Sequence, residues 1–182
     1  YERQFPNTLR ITITERKVTA IVALSSGPVA WYLGENNVWL EADQLNVPEG
    51  KTTATVALEK ATSEGELLIT DVPATVSPVA GTTATDAEIQ AVMQYQSTFS
   101  SELTSQIVSY SASSVDAISV TLTNGVQVAL GSPTQIADKE KVILAMLKQF
   151  PGELTYLNVR TPASPTYRRV STGNVQSGSG VS

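Results

Sequence analysis

The sequence predicts an α+β fold on three observations: short strand-forming runs separated by turn residues, two later stretches with helical periodicity, and an Asn-Gly turn flanked by two alternating runs. At 182 residues the chain has room for one medium domain or for a small domain joined to a larger one. Its 41% hydrophobic share supports a real core. The 16% charged share is low for a soluble domain, and serine and threonine supply much of the remaining polar surface.

Residues 9–14 alternate Leu9, Ile11 and Ile13 with Arg10, Thr12 and Thr14, the period of a half-buried strand. Glu15-Arg16-Lys17 leads into a second apolar run, 18–24, and the two read as a hairpin with a charged connection. Ser25-Ser26-Gly27-Pro28 breaks the pattern, and runs 29–33 and 38–40 suggest a second small hairpin. Residues 42–65 are polar, with Pro48, Gly50 and Gly65, and read as an excursion with one strand at 53–58. A strand at 67–72 is closed by Pro73, and 78–83 is a loop.

Thr85 and Glu88 have capping-box spacing, and Ile89, Val92, Met93, Phe99 and Leu103 recur at helical intervals, predicting a helix over 86–105. A second helix is predicted from the stripe Val142, Ile143, Met146, Leu147 and Phe150, with Asp138 as N-cap and Pro151-Gly152 as the stop. Between the helices, runs 118–122 and 126–130 flank Thr123-Asn124-Gly125. A two-residue turn would put their apolar sets on opposite faces. A three-residue loop with Gly125 left-handed pairs Val120 with Val128 and Ile118 with Leu130, and is preferred. Residues 154–160 then read as a strand, 161–165 as a turn and 167–170 as a last strand. Residues 171–182, rich in Ser and Gly, read as a disordered tail.

Histidine and cysteine are both absent, which removes the commonest general base, the commonest soft metal ligands and the thiol nucleophile. The net charge of −5 and the scattered Lys and Arg argue against a nucleic-acid partner. No apolar run is long enough to span a bilayer and no signal segment follows Tyr1, so any anchor is expected outside these residues. Residues 48–53, Pro-Glu-Gly-Lys-Thr-Thr, have the end of a phosphate-binding loop, but Leu45 stands where the first glycine belongs and no strand-loop-helix context is evident. The carboxylate pairs Glu41/Asp43, Glu64/Glu66 and Asp86/Glu88 sit in loops or a helix's first turn, where solvation explains them. Neither Ser-x-x-Lys nor Gly-x-Ser-x-Gly occurs, so no catalytic residue, cofactor site or metal site is predicted. The alternative from another class is a secreted carbohydrate-binding module or cell-wall hydrolase using Trp31, Tyr32 and Trp39, although hairpin aromatics more often pack a sheet face.

The opening segment, Arg3-x-Phe5-Pro6-Asn7-x-Leu9-x-Ile11-x-Ile13-x-Glu15-Arg16-x-Val18-x-Ala20, resembles the second and third strands of the POTRA domain in the FtsQ/DivIB family of bacterial cell-division proteins. Residues 31–40 are similar to the opening hairpin of that family's β domain, and Leu67-Leu-Ile-Thr-Asp-Val-Pro73 to its leucine-proline strand. Ser119-Val-Thr-Leu-Thr-Asn-Gly125, the lysine-bearing helix after Leu130-Gly131 and Tyr156-Leu-Asn-Val-Arg160 follow the family's later order. Phe5, Thr19 and Asn158 stand where tryptophan, proline and aspartate are commoner.

The resemblance implies a mixed, mainly antiparallel β-sheet packed with two α-helices, preceded by a truncated POTRA hairpin. The expected domains are 1–26 as the C-terminal part of a POTRA unit, 27–170 as the β domain and 171–182 as the tail. Two isolated strands are marginal alone, so the opening hairpin is expected to pack on a neighbour. The implied function is a non-enzymatic scaffold at the division septum, anchored by an N-terminal segment in the cell membrane and facing outward. The implied partners are FtsB/DivIC-like and FtsL-like proteins, recruited by strand addition beside the edge strand at 154–160; the plainer reading has that strand capped by 167–170 with Arg160 merely solvated. The implied partner-binding residues are Tyr156, Asn158, Arg160, Thr161, Tyr167 and Arg168. Arg160 aligns with a family arginine beside the partner site, and Thr161 stands where the family tends to have an aromatic residue.

Overall fold

The computed structural model describes residues 16–170. They form one mixed sheet of nine strands in the order β3-β2-β1-β4-β5-β6-β7-β8-β9. The strands are β1 (Val18–Leu24), β2 (Val29–Gly34), β3 (Val38–Gln44), β4 (Leu67–Val72), β5 (Ile107–Ala112), β6 (Ile118–Leu122), β7 (Gln127–Ala129), β8 (Leu154–Asn158) and β9 (Thr166–Arg169). The helices are α1 (Thr53–Glu64), α2 (Ala87–Thr98), α3 (Ser101–Thr104) and α4 (Ile136–Gln149). Pairs β1–β4, β4–β5 and β7–β8 are parallel and all others antiparallel, giving the expected mixed, mainly antiparallel α+β sheet. Each parallel pair needs a crossover, and α1, α2 with α3, and α4 supply the three in turn.

Strand alternation divides the core. On β1, Ala20, Val22 and Leu24 join the large cluster with α2, α3 and α4, while Ile21 and Ala23 face Ala57 and Ala61 of α1. Burial on both faces explains why Val18–Leu24 is almost continuously apolar. β1, which falls within the unit expected at 1–26, pairs with β2 and β4 inside the sheet. The strand expected at 9–14 and the tail expected at 171–182 lie outside the described residues.

Some expectations are corrected. The excursion at 42–65 contains α1 rather than a strand at 53–58. Thr52 Oγ1 caps it by accepting from Thr55 N at 3.1 Å, and Gly65, left-handed at φ 74°, ends it. Residues 48–53 therefore do lie in a strand-loop-helix context, although Leu45 is buried where a phosphate loop needs glycine. The single helix predicted at 86–105 is two, because Phe99 (φ −64°, ψ 145°) and Ser100, the N-cap of α3, are both extended. Glu140 of α4 accepts from both the amide and the hydroxyl of Ser100, fixing the break. Asp86 rather than Thr85 is the N-cap of α2, with no side-chain capping bond, and Gln135 rather than Asp138 is that of α4. Asp138 lies in the first turn of α4, where a carboxylate suits the helix dipole.

The hairpin β6–β7 has the preferred three-residue geometry. Val120 pairs with Val128, Leu130 N donates to Ile118 O at 2.9 Å, and Gly125 is left-handed at φ 81°. No helix among the described residues is long and apolar enough to cross a membrane.

Candidate partner-binding edge

The C-terminal end of the sheet is built by β8, a turn and β9. Ser164 N donates to Thr161 O at 3.0 Å, and Pro162 and Pro165 flank that bond, so the chain reverses and β9 lies antiparallel on β8. The open edge was expected at strand 154–160. The structure corrects this: β8 is held between β7 and β9, and β9 is the outermost strand.

Val170 N donates to Glu153 O at 2.7 Å, which sets the direction of the last amides. By strand alternation the backbone groups of Tyr167 and Arg169 point away from β8, and no strand among the described residues pairs with them. All four residues of β9 are exposed. Tyr167 is 42% exposed and the adjoining Val170 55%, unusual values for large apolar side chains in this fold.

The expected site residues divide between the two faces of this edge. Tyr156 and Arg168 are cross-strand partners on the face that α1 leaves uncovered, and the guanidinium lies 5.1 Å from the ring centroid. Asn158 is on the same face, where its Oδ1 accepts from Arg160 N at 3.1 Å. Tyr167 lies on the opposite face, its ring stacked on Phe150 at 5.1 Å. Leu157 and Val159 are fully buried, as the period of the strand requires. Arg160 and Thr161 are exposed just beyond β8.

Arg169 was missed by sequence reasoning. Its guanidinium stands 5.0 Å from the Phe150 ring and 3.4 Å from Glu153 Oε2, so a basic group flanks the outward amides on both faces. Its alternation with Arg168 was the available signal. Lys139 was missed as well. It falls on the stripe Ile136, Lys139, Ile143 and Met146, all buried, and a lysine at that spacing was the clue.

Arg160, Arg168 and Arg169 gather positive charge at one end of a chain whose net charge is −5. With open backbone donors and acceptors beside them, the edge has the chemistry to accept an extended, acidic segment. The aromatic hairpin presents a different picture. Trp39 is 2% exposed and meets Trp31 edge-on at 6.1 Å, so its ring is core rather than a platform for a sugar. Of the acidic pairs, Asp43 and Glu64 both bind Lys60, at 2.8 and 2.9 Å.

Comparison with protein families matches the C-terminal region of cell division protein FtsQ/DivIB over residues 53–160, from the start of α1 to just past β8. β1 to β3 precede the matched region and β9 follows it. No curated protein matches the chain.

Proposed function

The chain belongs to the FtsQ/DivIB family of cell-division proteins, and from that premise we propose that it is a non-enzymatic scaffold that recruits membrane division proteins to the septum. The recruited proteins are of the FtsB/DivIC-like and FtsL-like kinds, and the described sheet stands on the outer face of the cell membrane, anchored by a segment that precedes it. Binding is by strand addition at β9, with Tyr156, Asn158, Arg160, Thr161, Tyr167 and Arg168 around the added strand.

The observation that carries this reading is the outer edge of β9, which no strand among the described residues pairs, flanked by basic side chains. Backbone hydrogen bonds to Tyr167 and Arg169 would give affinity, and the arginines would select acidic residues. The test compares Arg169→Pro with Arg169→Ala for binding the extracytoplasmic segment of an FtsB/DivIC-like protein by calorimetry. Both variants lose the guanidinium, and only proline loses the outward N–H. The proline variant should bind at least about tenfold more weakly than the alanine variant, the worth of one or two backbone hydrogen bonds. Equal affinities in two folded variants would rule out strand addition at this edge.

A further inference from the structure

Lys139 is 1% exposed in the first turns of α4, and among the described residues its ammonium bonds only to neutral groups. Nζ donates to Tyr95 Oη at 2.9 Å and to Ser132 O at 2.6 Å, and lies 5.5 Å from the Tyr95 ring centroid. Tyr95 Oη in turn stands 3.3, 3.2 and 2.6 Å from the carbonyl oxygens of Leu130, Gly131 and Ser132, donating its proton into that fan. Burial pushes the lysine pKa below its ordinary value. A methionine of similar volume would avoid the desolvation cost, so packing alone does not account for an ammonium here.

What the ammonium and phenol organise is the course of residues 130–132. Three successive carbonyls turn toward one point, with Gly131 left-handed at φ 70°. Gly131 lies directly beneath Arg160: a Cβ added there would come within 2.9 Å of Arg160 Cγ. The two chain segments are also tied by Val159 N, which donates to Ala129 O at 3.0 Å. A path of contacts thus runs from α4 and α2, through the carbonyl fan, to the stem of an arginine at the open end of the sheet.

We propose that Lys139 and Tyr95 are positioning residues, a buried latch that holds Gly131 against Arg160 and so sets where the Arg160 guanidinium meets an acidic partner. This rests on the reading that Arg160 belongs to the partner-binding edge. The latch touches no partner atom itself.

A double-mutant cycle tests it, using Lys139→Met, Arg160→Ala and the double variant with the same FtsB/DivIC-like segment as probe. A latch that acts through Arg160 predicts that each single change weakens binding by about fivefold and that the double variant is no weaker than Arg160→Ala alone. A purely structural lysine would give effects that multiply. If Arg160→Ala leaves binding unchanged, the placement of Arg160 in the site is wrong and the latch falls with it. If Arg160→Ala weakens binding while Lys139→Met has no effect or adds independently, only the latch is overturned. Should Lys139→Met fail to melt cooperatively, Tyr95→Phe, which keeps the ring and removes the hydroxyl, takes its place in the cycle under the same criteria.

Discussion

At one end of the sheet β3 runs under a loop that bonds to it, while at the other no strand among the described residues pairs with the outer side of β9. Trp39 N donates to Thr82 O at 2.9 Å, Gly81 N to Trp39 O at 2.7 Å and Ala84 N to Asn37 O at 2.7 Å, so residues 81–84 close the start of the β3 edge. The remainder of β3 carries Glu41 and Asp43, the latter drawn inward by Lys60 of α1 at 2.8 Å. Folded proteins blunt their edges by such means, because an open row of amides invites another strand. β9 carries no cover among the described residues and has arginines instead of acids. An edge left open where its counterpart is closed is the feature that a partner can use.

The largest effect is expected at the closed edge. Trp39→Ala removes a buried indole and unseats the loop over β3, and should cost about 3–5 kcal/mol in denaturant unfolding. Light scattering on the folded fraction should then show association that grows with concentration, since the uncovered β3 would behave as β9 does. A stable, monodisperse variant would mean that the loop is not what closes that edge.

The next effect separates the two edges by charge. Arg168→Glu reverses a cation beside the open amides and should weaken the acidic partner by about tenfold, with the loss shrinking as salt is added. Glu41→Lys at the other end should leave affinity within about twofold. If the two changes act alike, or Glu41→Lys acts alone, the partner meets β3.

The smallest effect concerns the shared core rather than either edge. Burial raises the phenol pKa of Tyr95 and Tyr110 above the usual value of 10.0. Each therefore contributes stability that is complete below the unfolded pKa of about 10 and is lost as pH rises above it, because the unfolded phenols ionise first. Tyr110→Phe, which also gives up the 3.1 Å bond to Gln96, should cost about 1 kcal/mol near neutrality. Its unfolding free energy should then fall less steeply than the parent's above pH 10, and parallel slopes would contradict that assignment.

How much of this was legible in the sequence depended on whether local pattern or tertiary pairing fixed the feature. The β6–β7 register was readable because both arms alternate and only one loop length puts Val120 and Val128 on a common face. α1 was not, since its buried face is only Ala57 and Ala61, too small a stripe to show as apolar periodicity after Pro48 and Gly50. Thr52 and Gly65, its two caps, were the overlooked signals. The continuous apolar run of β1 held the information that both of its faces are buried. The break at Phe99 was hidden, because Phe99 and Leu103 keep helical spacing through it. For the candidate site, the alternation of Leu157 and Val159 with Tyr156 and Asn158 was readable from the strand. Which strand is outermost stayed open between 154–160 and 167–170, because that depends on β9 folding back through Pro162 and Pro165. Arg169 and Lys139 escaped for the same reason: their partners, Phe150 and Tyr95, lie on other elements.

The claim that β9 is the edge left for a partner is tested most directly by residue-resolved amide hydrogen exchange, with and without the extracytoplasmic segment of an FtsB/DivIC-like protein. In the free chain the amides of Tyr167 and Arg169 should exchange quickly, while that of Val170, bonded to Glu153, is slower. With the partner bound, Tyr167 and Arg169 should become protected while the amides of Glu41 to Gln44 stay unchanged. Protection that appears along β3 instead, or binding that leaves Tyr167 and Arg169 exchanging as before, would contradict the account.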